Sequence, residues 1–246
     1  MKKDFLSLFR HAKPVLGMLH LMGHSEQDVL KRAWREAQVM SDFGVDGVIV
    51  ENYFGTPAHV RTVLEDFQKN RVPFVYGVNL LDDDAENFKL ACRYEAAFLQ
   101  LDSVAGHLTP EEDAPFGAWL DAQRSSYDGF VIGGVWFKYQ PYRSGRTLKE
   151  DLSIGCERCD AIAVTGEGTG VETPIEKIKQ YRDLVGNFPL IAAAGVTPKT
   201  CASQLAVADA AIVGSYFKQS HNARDEVCPE NVRELMRVVN EVRQCL

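Results

Sequence analysis

Apolar residues along this chain gather into short, nearly continuous runs separated by longer polar or amphipathic stretches. The runs are VLGMLH (15–20), GVIVE (47–51), FVYGVN (74–79), FLQLD (98–102), FVIGGVWFK (130–138), AIAVTG (161–166), PLIAAAG (189–195) and AAIVGS (210–215). Runs of this length that do not alternate with polar positions fit strands covered on both faces, as in a parallel sheet. Consecutive runs start roughly 20 to 33 residues apart, which leaves room for a crossover helix each time.

The intervening stretches carry helix-start chemistry. Ser25 with Asp28, Thr109 with Glu112, Thr147 with Glu150 and Thr173 with Glu176 have capping-box spacing or its Asp variant. Pro57, Pro110, Pro174 and Pro198 each follow a threonine and suit a first helical position, where the missing N–H costs nothing. In 28–43 an apolar stripe of Val29, Leu30, Ala33, Trp34, Ala37 and Met40 predicts a helix, with Lys31, Arg32, Arg35 and Glu36 mostly off the stripe. The stretch from Pro229 reads as a last helix, and the polar segment 217–228 as a loop over one end of the fold.

Eight strand-then-helix units within 246 residues predict a single (βα)8 TIM barrel spanning 1–246, with no linker or shift in composition to divide it. A hydrophobic content of 46% is enough for a substantial core. The formal charge of −7 and the lack of a basic stripe argue against nucleic acid or an anionic membrane surface as partner. No run is long enough to insert into a bilayer, and charged residues interrupt the N-terminal apolar stretch, so a cytoplasmic location is expected. Six irregularly spaced cysteines suggest reduced thiols, and the lone CERC at 156–159 reads as ordinary helical cysteines rather than half a zinc site or a redox pair.

A (βα)8 barrel holds its active site at the C-terminal ends of the strands. The polar residues expected there are His20 after the first strand, Glu51 and Asn52 after the second, Asn79 after the third, and Asp102 with Ser103 after the fourth. Lys138 follows the fifth, Thr165, Glu167 and Thr169 the sixth, Gly195 and Thr197 the seventh, and Gly214 and Ser215 the eighth. Such a set converging on one mouth favours a small-ligand or enzyme site. The stretch VTGEGTG (164–170) lacks the spacing of a dinucleotide fingerprint and the ending of a P-loop, so it reads as a sixth loop whose Glu167 and Thr169 reach a ligand. Gly195, Gly214 and Ser215 are the candidates for phosphate, because the loops after strands seven and eight commonly bind it in such barrels. Glu51, Asp102 and Lys138 are the candidate proton-handling groups, since a desolvated carboxylate beside an ammonium can be poised as acid or base. Lys138 could alternatively form a Schiff base, and His20, Glu51 and Asp102 could instead hold a divalent metal ion. Arg143 and Arg146 in the fifth loop are either anion clamps or solvated charges.

The stretches KPVLGMLHL, GVDGVIVEN, VYGVNLL, DAIAVTGEGTGVETP, AAAGVTPKT and ADAAIVGSYFK resemble, in that order and over nearly the whole chain, the BtpA/SgcQ family. The resemblance implies a barrel related to the ribulose-phosphate-binding group. Glu51, Asn52, Asn79, the VTG at 164–166, Gly195 and Gly214 carry over directly, whereas VENYFGTP (50–57) and FKYQPYRSGR (137–146) depart from the family pattern. The expectation is an enzyme acting on a phosphorylated sugar or phosphoribosyl compound by acid–base isomerisation or aldol-type chemistry, with His20, Asn52, Asn79, Thr165, Glu167 and Thr169 as substrate contacts. Two alternatives stand beside it. One is a nucleoside or nucleotide hydrolase or phosphorylase using Tyr53, Phe54 or Trp136 to stack a base; the other is a non-catalytic assembly or regulatory protein with an apolar patch on its helical ring. A homo-oligomer is compatible with either enzyme reading.

Overall fold

The computed structural model of the chain describes residues 4–245. Eight parallel strands, β1 (Val15–His20), β2 (Gly47–Glu51), β3 (Val75–Asn79), β4 (Phe98–Ala105), β5 (Phe130–Val135), β6 (Ala161–Val164), β7 (Leu190–Ala193) and β8 (Ala210–Val213), close in sequence order into a barrel. Each is followed by a helix: α1 (Glu26–Asp42), α2 (Pro57–Asn70), α3 (Asp84–Arg93), α4 (Pro110–Ser125), α5 (Leu148–Arg158), α6 (Ile175–Val185), α7 (Cys201–Val207) and α8 (Pro229–Gln244). The (βα)8 expectation is therefore met, and β1 and β2 match the apolar runs residue for residue.

The other six strands depart from their runs by one to three residues at an end, most of all β4 and β5. β5 stops at Val135 because Trp136 takes a left-handed φ of 49°, so Lys138 lies in the following loop. β4 runs on to Ala105, with a register irregularity between Leu101 and Ala105. The cap at Ser25 forms as expected, its side chain accepting the Asp28 N–H at 3.2 Å, and the Thr147–Glu150 box forms in both directions. At the α4 start the Glu112 carboxylate accepts the Thr109 N–H. Thr173 does not cap α6; its hydroxyl instead donates toward the carbonyls of Ala193 and Ala194 at the end of β7. Pro174 is accordingly the residue before α6, and Pro198 precedes α7 by a full turn closed by Thr200.

Apolar residues form two layers. The outer one lies between sheet and helices, and includes Val29, Ala33, Ala37 and Met40 of α1. The inner one fills the barrel with residues such as Leu16, Ile49, Phe98, Ile132 and Ile191. Below it, a 3-10 turn over Phe5–Leu8 inserts Phe5, which packs edge-on against Phe9, Phe98 and Phe130. Phe98 and Phe130 are the first residues of their strands, so this plug closes the N-terminal end. Gly77 is required by the same layer: a Cβ there would lie 2.3 Å from the Phe98 ring. Four inner positions of β6 to β8 are small, Ala161, Ala163, Ala193 and Ala210, beside the larger Ile191 and Ile212. Space is thereby left toward the C-terminal mouth.

One buried charge was not expected. Glu36 lies on the packed face of α1, 3% exposed, and accepts hydrogen bonds from Lys218 Nζ at 2.7 Å and Arg32 Nε at 2.9 Å. Lys218 itself has no exposed surface. Glu36 also accepts the Val227 N–H, and Arg32 donates to the carbonyls of Arg224 and Asp225. The polar segment 217–228 is thus clamped to α1 beside the mouth. Among the described residues no helix is long and apolar enough to cross a membrane, and no disulfide forms. Cys159 is buried at the end of α5 with its thiol bonded to the Gly155 carbonyl, and burial pushes its pKa well up, in keeping with an ordinary helical cysteine.

Candidate active site

Strand alternation points the last residues of β1, β2 and β3 into the barrel in one layer, where His20 is register partner to Glu51, and Glu51 to Asn79. β4 adds Gln100 and Asp102 two residues apart on the same face. Asn79 Nδ2 donates to Glu51 Oε1 at 3.0 Å and to Asp102 Oδ1 at 3.3 Å, and Gln100 Nε2 donates to Asp102 Oδ1 at 3.2 Å. One amide therefore bridges two carboxyl groups. The floor lies beneath a cavity of about 630 Å³, large enough for a sugar phosphate or a nucleotide.

Burial dominates the electrostatics. It raises Glu51 to a pKa of about 8, helped by the charge of Asp102 and opposed by Lys138 and the Asn79 hydrogen bond. Burial also raises Asp102, while hydrogen bonds from Gln100 and Asn79 and the charge of Lys138 pull it back. His20 is lowered to about 3 by burial and by the nearby charges of Lys218 and Lys138. His20 Nε2 lies 3.4 Å from Glu51 Oε2, but with these values both groups are uncharged at neutral pH, so this is a contact of neutral groups rather than an ion pair. The two carboxyl groups thus share one environment and titrate as a pair, with an acid and a base available together.

A pH dependence of stability follows. Because folding raises the Glu51 pKa from 4.5 to about 8, the unfolded chain loses this proton at lower pH than the folded one. The Glu51 contribution is fully present below about pH 4.5 and is lost as pH rises toward 8. Glu51→Gln, which cannot ionise, should gain stability relative to the parent across that window in urea unfolding followed at several pH values. A difference between the two proteins that stays constant from pH 5 to 8 would show that Glu51 titrates normally.

The sixth loop closes one wall. Thr169 is held from three sides: its hydroxyl accepts from Lys138 Nζ at 3.0 Å and lies 3.0 Å from Tyr53 Oη, while its N–H donates to Tyr139 Oη at 2.9 Å. The Lys138 N–H donates to Thr165 Oγ1 at 2.9 Å. Lys138 therefore acts on the floor through its field and makes no direct ion pair with Glu51 or Asp102. Several left-handed residues gather in the loops at this end, Asp82, Trp136, Tyr139, Ala194 and His221 with φ of 68°, 49°, 65°, 88° and 60°. Strain of about 1–3 kcal/mol per residue of this kind collects at ligand sites.

The lining of the cavity brings together His20, Glu51, Asp102, Lys138, Thr165 and Thr169 with Gly195, Gly214 and Ser215. Three expected contacts fall outside its lining. The Asn52 side chain accepts the Leu81 N–H at 2.8 Å and so joins two loops, Asn79 sits beneath the carboxyl groups, and Glu167 is exposed. Gly195 has a φ of 65°, and its missing Cβ leaves room for the backbone of Glu172, so close packing alone already requires glycine there. A Cβ at Gly214 would lie 3.0 Å from the His20 ring. Of the aromatic candidates only Tyr53 lines the cavity; Phe54 lies under Arg224, and the Trp136 indole donates to Asp151 behind the sheet. Arg143 and Arg146 pair with Glu112 and Asp113 on α4 rather than facing the cavity. Among the described residues no three His, Cys, Asp or Glu side chains are arranged to hold a metal ion.

Gln100 escaped the sequence reading although a signal was present: in FLQLD the inward positions are Phe98, Gln100 and Asp102, and a glutamine at the middle one breaks an otherwise apolar run.

The fold and site define a (βα)8 barrel with a ligand-sized cavity at the C-terminal ends of its strands. Among solved structures, phosphoribosylanthranilate isomerase from Thermus thermophilus superposes with a TM-score of 0.62 at 17% identity, covering 94% of this chain and 100% of that one. Orotidine 5'-phosphate decarboxylase from Pyrococcus horikoshii OT3 does so with 0.60 at 16% identity, covering 92% and 99%. These likenesses show the architecture. The chain belongs to the BtpA family, whose sequence profile matches residues 11–119 and 146–241. It is 24% identical to the photosystem I biogenesis protein BtpA of Synechocystis, covering 97% of this chain and 92% of the relative, and 23% identical to the putative sgc region protein SgcQ of Escherichia coli, covering 88% and 86%. The unmatched interval 120–145 holds β5 and Lys138.

Proposed function

We propose that this protein is an enzyme that moves a proton on a phosphorylated sugar or phosphoribosyl compound, in an isomerisation or an aldol-type cleavage. The observation that carries the reading is the pair Glu51 and Asp102, bridged by Asn79 on the floor of the cavity. Asp102 would take a proton from the carbon beside a carbonyl, or from a hydroxyl when a C–C bond is to break. Glu51, protonated at neutral pH, would give one to the oxygen on which charge develops. Lys138 would offset the negative charge that builds up between them.

The phosphate would lie toward the rim on the β7 and β8 side, among Gly195, Gly214, Ser215 and the lysine Lys199. Solved barrels of this shape include proteins whose names carry a phosphoribosyl or phosphate group, which supports the same class of ligand. A purely structural role would favour an apolar patch on the helical ring. Among the described residues the large apolar side chains with most exposure are Tyr139, Tyr142 and Val171, all in loops at the mouth, with Leu184 alone on a helix.

The test is a thermal-shift screen of sugar phosphates and nucleoside monophosphates against their dephosphorylated partners. Ligand at about 100 times its Kd stabilises the folded state by roughly 2.7 kcal/mol, so a true ligand raises Tm visibly. Stabilisation by phosphorylated members alone is expected; equal stabilisation by the dephosphorylated partners, or none by any compound, would overturn the reading.

A further inference from the structure

We propose that Gln100 reads a hydroxyl group of the ligand, so that the deep end of the cavity takes the polyol end of a sugar and rejects an analogue lacking that hydroxyl. The inference rests on the phosphosugar reading above and adds the orientation of the ligand and the residue that selects it.

Gln100 is 4% exposed, points inward between Phe98 and Asp102, and lines the cavity. Its Nε2 is committed to Asp102 Oδ1, since a carboxylate accepts and the nitrogen must face it. Its Oε1 has no hydrogen-bond partner among the described residues. Burying an amide oxygen without a partner is costly, and the cost is recovered when a ligand donates to it. Glu51 Oε2 is in the same situation on the neighbouring strand, buried, lining the cavity and without a hydrogen bond.

The chemistry of the two oxygens selects the ligand group. Gln100 Oε1 can only accept, so a carbonyl or phosphate oxygen cannot satisfy it. An ammonium can donate, but it cannot accept from a protonated Glu51. A hydroxyl donates to Gln100, and the oxygen on the adjacent carbon accepts from Glu51, whether it is a second hydroxyl or the carbonyl oxygen to which Glu51 gives its proton. Buried polar groups of this kind discriminate strongly, because an analogue without the hydroxyl leaves them unpaired. With the lysines Lys138 and Lys199 in the upper wall and the polar, uncharged amide of Gln100 at the floor, the phosphate end would point outward and the hydroxylated end inward.

The test is calorimetric binding of ribose 5-phosphate, its 2-deoxy and 3-deoxy forms, the same three sugars without phosphate, and inorganic phosphate. The parent protein and Gln100→Met are compared, the variant being first checked for a cooperative melt. At least one deoxy form should bind the parent about tenfold or more weakly than the full sugar. That gap should shrink to within about twofold in the variant, with inorganic phosphate bound equally by both proteins. The comparison of sugars in the parent stands even if the variant does not fold. Failure of both deoxy forms to lose affinity in the parent, or a gap that survives in folded Gln100→Met, overturns the Gln100 assignment. If phosphate binds but no gap appears, the assignment falls and the phosphosugar reading stands. If the gap appears equally without phosphate, and phosphate adds nothing, the phosphosugar reading falls and the Gln100 assignment stands. If neither sugars nor phosphate bind, both fall.

Discussion

Asp102→Asn should leave the fold and ligand binding intact and slow solvent exchange of the substrate's transferred proton by about 10²–10⁴-fold, the usual contribution of a positioned acid or base. The substitution is close to isosteric. The carboxamide oxygen can still accept from Asn79 and Gln100, which now reach Oδ1 at 3.3 and 3.2 Å. What is lost is the base, together with the charge that helps raise the Glu51 pKa. The measurement is incorporation of deuterium from heavy water into a sugar phosphate that the thermal-shift screen has identified, beside calorimetric Kd values. Exchange at the parent rate in a variant that still binds would remove Asp102 from the reaction. The pH profile gives an independent reading: activity that depends on protonated Glu51 should decline above about pH 8, and in Asp102→Asn any residual decline should shift downward, because the neighbouring negative charge has gone.

The second large effect is on stability. Lys218→Met removes the ammonium from a carboxylate that is 3% exposed, and breaking a buried pair in this way costs about 3–5 kcal/mol. Arg32 Nε remains 2.9 Å from Glu36, so the lower end of that range is expected, a fall in Tm of roughly 6–12 °C for a chain of this size. Burial already holds the Lys218 pKa below the ordinary lysine value, with Glu36 opposing the shift, which marks the pair as costly to desolvate. The double variant Glu36→Leu with Lys218→Met should recover part of the loss, because it removes the unpaired buried carboxylate but also takes the acceptor from Arg32 Nε and from the Val227 N–H. Urea unfolding of both singles and the double checks this. A Lys218→Met protein as stable as its parent would show that the pair contributes nothing to holding segment 217–228 on α1.

The architecture was legible because a strand buried on both faces needs an uninterrupted apolar run, and eight such runs at crossover spacing leave few alternatives. The layer of His20, Glu51, Asn79 and Asp102 was legible for the same reason, since strand ends are countable. Lys138 was less so: the run 130–138 continues in composition past the point where the left-handed Trp136 ends β5. Thr173 kept its capping-box spacing yet donates to the carbonyls of Ala193 and Ala194, and Pro174 rather than Thr173 is the residue before α6.

The sequence by itself determined the number and order of the elements, the residues that end β1, β2 and β3, and the polar chemistry expected at the C-terminal ends of the strands. These follow from local rules, namely the period of burial and the steric demands of turns. Only the tertiary structure decided which polar groups touch. Glu36 meets Lys218 across 182 positions and Tyr53 meets Thr169 across 116. Whether Asn52 faces a ligand or a neighbouring loop, and whether Gln100 is paired on one atom or two, likewise depend on distances between separate strands. Contacts of that kind are set by barrel closure and by desolvation, which act on the folded chain as a whole and leave little trace in any one stretch of sequence.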